Sequence, residues 1–207
     1  MKVFRPKVKT IQKFQQSFNV CEEADKYLEQ CKSLEEAWDN CPKAEWLIWA
    51  LGQLDPSFNT NEQLLQFLLH EVELLVRKNW FGEVREAGSK ILKTLRKKLS
   101  DPSSDPQNLT AWVYTLEQYP CLPDNFITTA IRRVASLIDG LNRHAYEASR
   151  DVSFYKAIVS MGYWTRSTER KDPIYLRDQA RQARKFKAIF PNPWRSKEKN
   201  KVKKEES

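Results

Sequence analysis

Scarcity of glycine is the strongest constraint that this chain places on its own fold. Five glycines in 207 residues leave few positions suited to left-handed backbone, tight hairpins or phosphate-cradling loops. No period-two run of β-branched residues appears, and apolar residues recur at spacings of three and four, the signature of amphipathic helices. All-β folds and glycine-rich nucleotide-binding α/β folds are therefore disfavoured. The fold class is read as all-α, an irregular bundle of antiparallel helical hairpins. With 41% hydrophobic residues, the composition suits one sizeable globular core.

Local signals divide the chain. Residues 1–19 read as a loose basic arm, residues 20–194 as a single helical domain, and residues 195–207 as a Lys-rich tail. Apolar spacing marks a helix over Cys21–Lys32. Ser33 and Glu36 form a capping box that opens a short helix, and Pro42 introduces a strongly apolar helix over Lys43–Leu54. At least one of Trp46 and Trp49 is expected to be nearly fully buried there. Asp55–Thr60 reads as a loop, and Asn61 caps a long apolar helix. A second long helix covers Glu83–Leu99, with basic residues opposite its apolar side. The Asp-Pro pairs near residues 100–108 mark a surface loop. A short helix is expected over Leu109–Tyr119 and one long helix from Asn125 to about Arg150. Asp172-Pro173 starts a last helix, with Leu176, Ala180, Ala183, Phe186, Ile189 and Phe190 as its apolar stripe.

The net charge of +8 lies wholly in the C-terminal fifth, because residues 1–165 balance. Arg166, Arg170, Arg177, Arg181, Arg184 and Lys185 interleave there with aromatic residues. Arginines and aromatic rings together can track a phosphate backbone and stack bases. They equally describe a packed amphipathic helix whose Arg stems cover the bundle. These six residues are the candidate contacts for a partner protein or a nucleic acid.

Chemistry-bearing patterns are sparse. His70 and His144 stand far apart on helical patterns, and the ten-residue spacing of Cys21, Cys31 and Cys41 matches no zinc motif. Gly88-Ser89-Lys90 lacks the upstream glycines of a phosphate loop. Adjacent carboxylates such as Glu22 and Glu23 do not face each other on a helix. The expectation is a non-enzymatic protein with no cofactor and no metal. No apolar stretch approaches a membrane span. With no secretory signal, the reading is a cytoplasmic chain with reduced thiols, including Cys121, and no membrane partner.

Residues 21–51 carry Cys21-x-x-Ala24, then Leu34-Glu35-Glu36-Ala37-Trp38, Cys41-Pro42 and Glu45-Trp46-Leu47-Ile48-Trp49. This stretch resembles a helical module in an immunity-protein group of bacterial and phage proteins. That group pairs an Ala-Trp and a Cys with an acidic-Trp-Leu-x-Trp run. Lys43-Ala44-Glu45 here replaces the group's more usual Arg-Gly-Asp lead-in. The tail from Leu176 to Trp194, especially Ile189-Phe190-Pro191-Asn192-Pro193-Trp194, resembles the helix-then-Asn-Pro-aromatic ending of related helical proteins. Together the two stretches cover about a quarter of the chain. The resemblance implies an all-α fold, a bacterial or phage origin, and neutralisation of a toxin or defence component by binding. The function expected is that of an inhibitor that sequesters another protein. A nucleic-acid-binding accessory protein using the basic C-terminal region is the alternative.

Overall fold

The computed structural model describes residues 6–79, 82–101, 125–138, 145–161 and 172–195. Among them the regular structure is helical and contains no strand. Four short helices come first: α1 (Ile11–Ser17), α2 (Glu22–Glu29), α3 (Leu34–Asn40) and α4 (Ala44–Leu54). A short 3₁₀ turn, Pro56–Thr60, leads into α5 (Glu62–Asn79) and α6 (Gly82–Ser100). Then follow α7 (Asn125–Ile138), α8 (Ala145–Met161) and α9 (Pro173–Ile189). The short helix expected over Leu109–Tyr119 lies outside the described residues.

Helix starts follow the local chemistry. The Ser33 hydroxyl accepts from the Glu36 amide at 3.1 Å, and Glu36 reaches back to the Lys32 amide at 2.6 Å. Asn61 accepts from the Leu64 amide at 3.2 Å. Asp172 accepts from the amides of Ile174 and Tyr175, with Pro173 in the first turn. These side chains satisfy helix N–H groups that have no intrahelical partner. Asp172→Ala is expected to lower stability by about 1 kcal/mol, measured as a shift in urea midpoint with unchanged slope.

Three expectations need correction. The single long helix over Asn125–Arg150 is two helices, α7 and α8, and α8 runs on to Met161. Continuous apolar spacing hid the break, although Asp139-Gly140 is a helix-stopping pair. The arm, read as loose and docking late with one helical turn, holds the seven-residue α1, capped by Thr10 and anchored in the core by buried Phe14. The loop at Asp55–Thr60 is a 3₁₀ turn held by Asp55, which accepts from the Ser57 amide at 3.0 Å. That turn sits tightly on α4. A Cβ at Gly52 would stand 3.0 Å from the Asn59 side-chain oxygen, so glycine permits the approach.

The core has two parts. The larger joins Trp38, Leu47, Ile48, the apolar faces of α5 to α8, and Phe186 and Phe190. Helix α8 packs against α4, α5, α7 and α9. Its buried face carries Ala145, Ala148, Ser149, Val152 and Ser153, small side chains that let several helix backbones approach. A smaller cluster gathers Phe14, Leu28, Leu34 and Ala37. Trp194 packs against both clusters. Its indole donates to the Val8 carbonyl at 2.9 Å, and its ring lies edge-on to Phe14 and Trp38. The Asn192 amide donates to the Glu35 carbonyl, and Arg195 pairs with Asp39. The segment after α9 thus straps α3 to the N-terminal residues.

Candidate functional site

Of the apolar stripe expected on α9, Ala183, Phe186 and Phe190 are buried and Ala180 is half-buried. Leu176 and Ile189 are exposed, at 39% and 38%. The buried face also carries Tyr175 and the polar Asp178, Gln179 and Gln182. Polar residues are buried there because α8 meets them with hydroxyls. Ser149 donates to Gln182 at 2.8 Å and Ser153 to Asp178 at 2.9 Å. The paired positions run in opposite directions, so α8 and α9 are antiparallel. The Gln179 amide donates to the Ser149 carbonyl and to the Ser153 hydroxyl, at 3.2 and 3.0 Å. Satisfied in this way, the groups escape the roughly 1–3 kcal/mol that an unpaired buried polar group costs.

The network fixes α4 as well. Lys43 precedes α4 without a side-chain cap, which leaves first-turn amides in need of an acceptor. Gln179 supplies one across the interface, accepting from the Glu45 amide at 3.0 Å. Tyr175 donates its hydroxyl to the Glu45 carboxylate at 2.9 Å. A carboxylate in the first turn also suits the positive end of the helix dipole.

Held in this register, α4 turns Trp46 and Trp49 away from the centre. Both are half-buried, against the expectation that one would be nearly enclosed, and Trp38 is the deeply buried tryptophan, at 3% exposure. The reason is rotational: Ala44, Glu45, Leu47, Ile48 and Leu51 occupy the buried side of α4. Trp46, Trp49, Tyr146 and Arg150 line a hollow of about 210 Å³, with Cys21 and Asn19 at its edge. A single water needs only about 10–15 Å³ of such volume, so the hollow admits a whole side chain. An adjoining apolar pocket of about 60 Å³ shares Ala24, Trp46 and Trp49 with it. Lys43 sits 4.6 Å over the Trp46 ring and is fixed by Glu23 at 2.6 Å. Burial pushes the Tyr146 hydroxyl above the ordinary tyrosine value, with the Glu147 charge acting in the same direction.

The sequence-derived contact residues separate into groups. Arg166 and Arg170 lie outside the described residues. Arg177 and Arg184 are exposed on α9. Arg181 and Lys185 turn inward, to the fully buried carboxylate of Glu71 on α5. Arg181 grips both oxygens of Glu71 and also pairs with Asp178 at 2.9 Å. Burial would raise the Glu71 carboxyl, but hydrogen bonds and charge from Arg181, then Lys185, hold it below the usual glutamate value. Burial alone would lower the Arg181 guanidinium, and Glu71 and Asp178 reverse that. The structure therefore brings together Arg181 and Lys185, two of the four described candidate contacts, and does so around an internal anion.

Cys21, Cys31 and Cys41 are free thiols, and Cys121 lies outside the described residues. Burial pushes Cys41 up to about 12, which keeps it protonated and inert as a nucleophile. His70 is exposed, and His144 lies outside the described residues. Among the described residues no group of three or more His, Cys, Asp or Glu side chains is placed to hold a metal ion, and no helix is long and apolar enough to cross a membrane. The polar network and the Trp46–Trp49 hollow were not visible in the sequence. The one usable signal was Tyr146 and Arg150, four apart on a helix and hence on one face. No family model, curated protein or solved structure matches the chain.

Proposed function

We propose that the chain is a non-enzymatic binding protein of the cytoplasm that sequesters another protein, as an immunity-type or phage-encoded inhibitor does. The observation that supports this reading is the composition of the hollow between α2, α4 and α8. Trp46, Trp49, Tyr146 and Arg150 are the residue types that dominate binding energy at protein interfaces. Their half-buried rings present large area with few rotatable bonds, so little conformational entropy is lost on contact. The polar network behind them holds α4 and α8 in one register, and a preorganised surface binds at lower cost. The immunity-group resemblance makes a toxin or defence component the expected partner.

The test begins with affinity capture from the native host, comparing the wild-type chain with Trp49→Ala and Tyr146→Ala. A protein retained by wild type alone is then purified and titrated by calorimetry. Each substitution is expected to weaken binding at least tenfold, about 1.4 kcal/mol, while circular dichroism stays unchanged. Equal affinity for wild type and both variants would remove the hollow from the interface.

A further inference from the structure

A second charged surface lies elsewhere, on α6, and it does not depend on the hollow. Residues 87–100 hold five basic residues and no acidic one. Ile91, Leu92 and Leu95 face the core, which turns Lys90, Lys93, Arg96 and Lys97 to the exterior. Arg96 is held by Glu73 of α5 at 2.7 Å, whereas Lys90, Lys93 and Lys97 form no ion pair among the described residues. The Glu73–Arg96 pair also fixes the register of the two antiparallel helices. One turn further along α5, exposed Arg77 stands level with Lys93. Beside the row, Gln66, His70, Arg96 and Ser100 line an open hollow of about 380 Å³, with no carboxylate among its described lining residues.

We infer that this outer face of the α5–α6 hairpin contacts the phosphate backbone of a nucleic acid. Lys90, Lys93 and Lys97 are offset along the helix by about 4.5 and 6 Å. Their flexible stems can therefore meet successive phosphates of one strand. Lysine acts as a mobile point charge, without the fixed fork by which arginine recognises a particular carboxylate. The row contains no aromatic anchor of the kind that a protein partner would grip. Insertion into a membrane is ruled out for this helix, because its apolar face is already packed in the core. The location differs from the C-terminal helix that charge counting favours, where Arg181 and Lys185 are bound to Glu71.

The experiment is fluorescence anisotropy of the full chain with a labelled duplex of about 20 base pairs and with the matching single strand, across a salt series. The variants are Lys90→Glu/Lys93→Glu/Lys97→Glu and, separately, Arg177→Glu/Arg184→Glu. The lysine triple is expected to lose at least tenfold in affinity near physiological salt. Its salt slope should fall by about 2–3, since each neutralised phosphate contributes close to one unit. The arginine double should change both quantities much less. Unaltered melting temperatures establish that both variants fold. A triple variant that binds like wild type overturns the inference, as does greater loss from the arginine double. Absence of nucleic-acid binding overturns it too, including where an acidic polypeptide such as polyglutamate binds in its place. None of these results bears on capture of a partner at Trp49, which is read with different variants.

Discussion

Phe186→Ala is expected to cost about 4 kcal/mol and to be among the most damaging single truncations in the chain. Phe186 is fully buried, and its ring meets Trp38, Phe58, Phe67 and Phe190 at centroid distances of 4.7–6.3 Å. These neighbours come from α3, the 3₁₀ turn, α5 and the strap after α9. No single helix can shift to fill the space without breaking contacts with the others. Part of the loss is the transfer of the ring to water, and part is the cavity left among rings that relax incompletely. Trp49→Ala is expected to cost clearly less, because its indole is already half in solvent. Urea unfolding of the two variants side by side checks the order. A greater loss from Trp49 would mean that the aromatic centre has been misplaced.

The second large effect is electrostatic. Arg181→Met removes the guanidinium that clamps Glu71 and leaves a fully buried carboxylate with Lys185 as its remaining ion-pair partner. Breaking a buried pair by deleting one member costs about 3–5 kcal/mol. The low end, about 3 kcal/mol, applies because Lys185 remains and Arg181 is itself partly solvated. A loss below about 1 kcal/mol would class the contact with ordinary surface pairs. The same site governs acid sensitivity. Its folded-state pKa lies below the ordinary glutamate value, so Glu71 contributes its full stabilisation above that range. The contribution disappears as pH falls toward the folded value. As pH falls from about 6 through the ordinary glutamate range, about 4.3, and below it, wild type should therefore lose more stability than Glu71→Gln. A parallel decline in the two proteins would show that Glu71 is not the titrating group.

Local chemistry was legible wherever cause and effect lie within a few residues. Ser33, Asn61 and Asp172 act on amides two or three positions away, and α5 and α6 advertise their buried sides by regular apolar spacing. What could not be read lies where the partner is remote. Asp178, Gln179 and Gln182 look like the wet side of a helix. Only Ser149 and Ser153, some thirty residues earlier, make that side a buried one. The rotation of α4 that half-exposes Trp46 and Trp49 follows from the same interface, because Gln179 and Tyr175 hold Glu45 inward. Charge counting likewise located the basic excess in the C-terminal fifth without showing that Glu71, more than a hundred residues away, holds two of the cations on α9.

The strap after α9 has a consequence for the order in which the molecule is made. Synthesis proceeds from the N-terminus, and domains commonly fold as they emerge. Here, however, Phe14 meets the ring of Trp194, and the Val8 carbonyl accepts from its indole. Helices α1 to α3 can pack early on Trp49, Ala50 and Leu54 of α4, but the indole that closes over them is added only about 150 residues after Asn40. The smaller cluster thus gains its final ring only when the segment after α9 has been made.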